Sequence, residues 1–94
     1  MDAEVFVLGV SKKGRMVKRR ELDGMSHTNP LKVVPEGDAI LGHLIMEPGQ
    51  TALFTTTKGR VITVPENQVR EGLEPIQVLT LEEGELLQAP YGPF

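Results

Sequence analysis

The sequence predicts an all-β domain made of two similar units, each with four short strands. Three observations lead there. Runs rich in Val, Ile, Thr and Phe, four to eight residues long, are separated by Gly, Pro, Asp and Asn. Glycines stand at the tips of what read as hairpins, in "SKKGR" (11–15) and "TTKGR" (56–60). The chain also repeats itself at a shift of forty-five positions. Under that shift Leu8 falls on Leu53, Ser11 on Thr56, and Lys13, Gly14 and Arg15 on Lys58, Gly59 and Arg60. Pro30, Leu31 and Val33 fall on Pro75, Ile76 and Val78, and a slip of two residues then lays "EGDAIL" (36–41) over "EGELLQ" (83–88).

Taken in order, "EVFVLGV" (4–10) is the first strand, and the Gly14 turn leads into a second. "LKVV" (31–34) reads as a third strand, and an "EGD" turn leads to "AILGHLIM" (39–46) as a fourth. "EPGQ" (47–50) has Pro then Gly at its centre, the pattern of a type II turn, since Pro sets the first φ and Gly accepts a positive one. "TALFTTT" (51–57) and "RVITV" (60–64) repeat the first hairpin. "PENQVREGL" (65–73) is short and polar, and predicts no more than one turn of helix. A strand near Ile76 and Val78, an "EGE" turn and a last strand complete the second unit. The units span about 3–49 and 50–94 of one domain.

A unit of this length with four strands has the size of a propeller blade. Propellers close with about four to eight blades. Two are too few, so the expectation is an open arc or a ring completed by oligomerisation. A chain of 94 residues buries a modest core, which also favours association.

The charge is unevenly placed. The net charge is -3, yet "KKGRMVKRR" (12–20) holds six basic residues of nine, while 71–85 holds five glutamates and no base. In a strand, alternate side chains share a face, so Lys18 and Arg20 go with Met16, and Arg15 and Arg19 go with Val17. About four of the six can then meet one duplex. Phosphate neutralisation needs only exposed Lys and Arg on one surface. The competing reading is a solubilised edge hairpin, in which Lys blocks edge pairing.

Little here suggests catalysis. The chain has no cysteine, hence no thiolate nucleophile, thiolate metal site or disulfide. His27 and His43 have no carboxylate partner nearby in the sequence, and the Ser and Thr residues lack a base-and-orienter arrangement. There is no phosphate-cradling Gly loop. No catalytic residue, metal or cofactor is expected. Asp2 and Glu4 stand where a signal peptide carries bases, and no apolar run approaches the ~20 residues of a membrane helix. A cytoplasmic location is the expectation.

The ordered set "DAILGHLIMEPGQTALFTTTKGRVITVPENQVREG" resembles a blade of the C-terminal domain found in the breakage-and-rejoining chain of DNA gyrase and in its topoisomerase IV counterpart. "EVFVLGVSKKGRMVKRREL" resembles the second half of another such blade. The resemblance covers almost the whole chain. It implies a β-pinwheel, a propeller-like ring in which strands pass between neighbouring blades. It also implies sequence-independent binding of duplex DNA, with type II topoisomerase subunits or further copies of the chain as partners. The turn positions it matches are Lys13, Gly14 and Arg15, with Lys58, Gly59 and Arg60 in the second unit, and the charge run adds Lys12, Lys18, Arg19 and Arg20 as candidate DNA contacts. The family's basic, Gly-rich loop has no counterpart in "ELDGMSHTNPLK" or "NQVREGLEPIQ", and Tyr91 has no breakage-and-rejoining context. The alternative reading is therefore an oligomeric protein-interaction module that does not wrap DNA.

Overall fold

The computed structural model describes residues 4–22, 24 and 27–94. Among them, seven strands form two antiparallel sheets, and the fold is all-β. The strands are β1 (Glu4–Ser11), β2 (Arg15–Leu22), β3 (Ile40–Met46), β4 (Thr51–Thr56), β5 (Val61–Pro65), β6 (Ile76–Gln77) and β7 (Leu87–Tyr91). The first sheet has the order β3-β1-β2-β6 and the second β5-β4-β7.

Both hairpin tips turn as their glycines require. Gly14 has φ 88° and Gly59 has φ 78°, the region an L side chain enters at a cost. Each glycine's N–H bonds back to the strand just ended, Gly14 to the Ser11 carbonyl at 3.1 Å and Gly59 to the Thr56 carbonyl at 3.0 Å. The "EPGQ" turn closes through the Gln50 N–H and the Glu47 carbonyl at 3.1 Å. The 65–73 segment contributes a single 3₁₀ turn, Glu66–Gln68.

Two expectations need correction. "LKVV" (31–34) is not a strand. Asn29 turns the chain there, its Oδ1 accepting from the Leu31 N–H at 2.9 Å and its Nδ2 donating to the Gly42 carbonyl at 3.2 Å. Leu31 is thereby laid over Gly9 of β1, and this close approach requires glycine. A Cβ at Gly9 would stand 2.7 Å from the Leu31 Cβ and 2.2 Å from Asn29 Oδ1. The second sheet, moreover, has three strands and not four. The short β6, from the later half of the chain, lies against β2 of the first sheet, with Ile76 opposite Met16 and Gln77 opposite Arg15.

The main core joins the two sheets. Leu8, Val10, Met16, Leu44 and Met46 from the first meet Ala52, Phe54, Val64 and Leu87 from the second, with Val69 and Leu79 from the connecting loops. Val7, Val17 and Leu31 are also buried, outside this cluster. β1 thus alternates between two dry surfaces, which explains why its sequence is apolar throughout and not at every second residue.

Candidate nucleic-acid interface

The two Lys-Gly-Arg tips are built alike, and in each the arginine is bound from within. Asp38 of the "EGD" turn receives Arg15 Nη1 on Oδ2 at 2.7 Å and the Lys13 N–H on Oδ1 at 3.1 Å. The Arg15 N–H donates to Ser11 Oγ at 2.9 Å. In the second tip Glu85 of the "EGE" turn receives Arg60 through both oxygens, at 2.6 and 2.8 Å. Thr56 donates its hydroxyl to Glu85 and accepts the Arg60 N–H at 3.2 Å. Hydrogen bonds from Arg60 and then Thr56 hold Glu85 down at about 2. Burial pushes Asp38 up, but bonds from Ser11, Arg15 and two backbone N–H groups outweigh it and bring it below the ordinary carboxylate value.

These two acids are what reading the hairpins alone missed. The signal was nonetheless there. Ser11, Arg15 and Asp38 occupy the same places in the first unit as Thr56, Arg60 and Glu85 in the second. Bidentate pairing of the Arg60–Glu85 kind fixes geometry as well as charge.

Lys18 is the largest departure from a phosphate-contacting role. Its side chain is only 6% exposed, and its Nζ lies 2.8 Å from Glu66 Oε2 and 2.8 Å from the Glu66 carbonyl. The same ammonium sits 4.5 Å from the centre of the Phe6 ring. The bond from Lys18, then one from the Gly49 N–H, bring Glu66 below its usual range despite its burial. Arg20 shares this face of β2, as strand alternation requires, and pairs with Glu71 at 2.7 Å and Glu4 at 2.9 Å. β2 is not a bare edge either: β6 pairs with its start, and Lys18 forms a bridge with Glu71 further along.

Lys12, Lys13, Arg19 and Lys58 remain exposed, with no carboxylate in ion-pair contact among the described residues. Three of these four come together. The N-terminal end of β7 runs between the hairpin tips: the Leu87 N–H donates to the Lys12 carbonyl at 2.8 Å, and the Leu86 carbonyl accepts the Thr57 N–H at 2.9 Å. Lys12, Lys13 and Lys58 therefore stand at one end of the molecule although the sequence separates them. Arg19 lies opposite Val7, on the other face of β2 from Lys18. The same end holds an open cavity of about 420 Å³, whose lining includes Lys13 and Arg15 together with Glu82, Glu83 and Glu85. No family model, curated protein or solved structure matches the chain.

Of the histidines, His27 does have a carboxylate partner, contrary to the reading from sequence. Its Nδ1 lies 2.9 Å from Glu21 Oε2, near the end of β2. His43 lies on β3, opposite Gly9, and is exposed. Among the described residues no group of three or more His, Cys, Asp or Glu could hold a metal ion. No helix among them is long and apolar enough to cross a membrane.

Proposed function

We propose that the chain is a non-enzymatic module of two blade-like units, related to the pinwheel domains of type II topoisomerases. It touches the phosphate backbone of duplex DNA through its paired hairpin tips. One observation carries the reading: residues 86–87 tie the Lys12–Lys13 tip to the Lys58 tip, making one exposed cationic edge from both units. Arg15, Lys18, Arg20 and Arg60 are structural under this reading. Their carboxylates already neutralise them, and a phosphate has to displace a short ion pair to reach them.

About three phosphates neutralised give a log–log salt slope of roughly -2.7, a loss of about forty-fold in affinity between 50 and 200 mM salt. Binding is independent of sequence, since nothing reads base edges. Fluorescence anisotropy with labelled duplexes measures both. Reversing Lys12, Lys13 and Lys58 to Glu together abolishes binding, and each reversal alone weakens it. Exposed Glu82 and Glu83, which share a cavity lining with Lys13, keep the affinity low. The engagement of four predicted contact residues with carboxylates favours a second reading, an interaction module that does not bind DNA. No binding by the unmodified chain at low salt decides for it.

A further inference from the structure

β6 shows how one unit docks on another in this fold. Ile76 pairs with Met16, Gln77 with Arg15, and the Val78 N–H donates to the Gly14 carbonyl at 3.1 Å. The segment thus extends the first sheet past β2, and Ile76 and Val78 pack against the core. The forty-five-residue shift carries this contact onto the outer edge of β5 and the 31–33 segment, neither of which has a strand partner there among the described residues. β5, the counterpart of β2, is the outer strand of its sheet. Val61, in the place of fully buried Met16, is 62% exposed. The counterpart of the β6 segment is Leu31–Val33, which pairs with no strand, and Val33, in the place of packed Val78, is 76% exposed.

We propose that a second copy of this chain covers both surfaces: residues 31–33 of one copy add to the β5 edge of the next. The occupant follows from the shift. The segment that completes the first sheet has a counterpart in the same chain, with a matching proline, two apolar residues at the same spacing, and a free edge strand to receive it. Main-chain pairing on an exposed edge supplies the affinity, and alternate side chains supply the register. Leu31 lies opposite Val61 and Lys32 opposite Arg60, and the Val33 N–H faces the Gly59 carbonyl. Leu31 is buried over Gly9 and its N–H is bonded to Asn29, so docking shifts this segment locally, while Val33 and Val61 are exposed already. The contact is head-to-tail. It propagates until rotation closes a ring, at roughly two to four copies if the closed form has the usual four to eight blades. This inference rests on the two-unit reading above and not on DNA.

Head-to-tail geometry permits a test that other modes of association fail. Val33→Glu blocks only the head, and Val61→Glu only the tail. Both positions are exposed, and circular dichroism checks that each variant folds. In sedimentation velocity without DNA, the unmodified chain associates across the micromolar range, and each variant alone is monomeric. A mixture of the two forms a one-to-one dimer and nothing larger, because one intact head meets one intact tail. A monomeric unmodified chain overturns the proposal, as does a mixture that stays monomeric. A defined oligomer formed by either variant alone places the contact elsewhere and overturns it too. Since DNA is absent, failure here leaves the anisotropy result standing, and the reverse also holds.

Discussion

Replacing Lys18 with Met tests the assignment of that residue to the interior. The ammonium has three engagements: the Glu66 carboxylate and the Glu66 carbonyl, each at 2.8 Å, and the Phe6 ring at 4.5 Å. The Glu66 side chain is only about 10% exposed, so removing the lysine strands a carboxylate with the Gly49 N–H at 3.0 Å as its remaining donor. Breaking a buried pair from one side costs about 3–5 kcal/mol. The Arg20 pairs are about half exposed on each side and screened by solvent, and the same change at Arg20 costs much less. Against an overall stability of about 5–15 kcal/mol, the Lys18 variant is marginal and the Arg20 variant is not. Urea denaturation reads the difference, with thermal melting in parallel at about 4–8 °C per kcal/mol for a domain of this size. Combining Lys18→Met with Glu66→Gln removes the stranded charge, keeps an acceptor for Gly49, and recovers more than half of the loss. Equal costs at Lys18 and Arg20 would refute the assignment. So would a double variant no better than the single one, since the penalty would then not be an unpaired charge.

Two further outcomes follow from the turns. Gly59→Ala costs about 1 kcal/mol from backbone conformation alone, because nothing lies within 4 Å of the added Cβ. Gly14→Ala costs measurably more, as its Cβ would meet the Leu79 carbonyl at 3.1 Å and Gln77 Nε2 at 3.2 Å; indistinguishable urea midpoints would contradict this. Acid is the other perturbation. A carboxylate whose folded pKa is depressed stabilises fully above its ordinary value and loses that contribution as pH falls toward the folded one. For Glu85 the window runs from 4.5 down to about 2, and Asp38 and Glu66 shift in the same direction. Melting temperature against pH therefore falls more steeply through that window for the unmodified chain than for Glu85→Gln, and parallel curves count against the Glu85 contacts.

The strands were legible because their signals are local. Val, Ile, Thr and Phe between glycine turns announce β1, β3, β4 and β5 without knowledge of their neighbours. The fate of "LKVV" was not legible. Leu31 and Ile76 have similar flanks, and whether either becomes a strand depends on an available edge: Ile76 finds β2, while Leu31 finds the bare backbone of Gly9. The charge cluster misled for a similar reason. Six bases in nine residues read as one surface, but Lys18 faces inward beside Met16, and the acids that meet Arg15, Lys18 and Arg20 come from distant positions: Asp38, Glu66 and Glu71. A strand's alternation tells which residues share a face. It does not tell which face another sheet will cover.

The placement of β6 bears on how the chain matures during synthesis. A ribosome finishes β1, β2 and β3 well before Ile76 and Gln77 exist, and before Glu66 can reach Lys18. Until then β2 is a raw edge carrying an unneutralised cation on what will become its dry side. The last strand of the first sheet and the counter-charge of Lys18 both come from the later half. The two units resemble each other in sequence, yet they share one core. Cutting the chain at the "EPGQ" turn separates the β1–β2 hairpin from β6 and Glu66, which complete it.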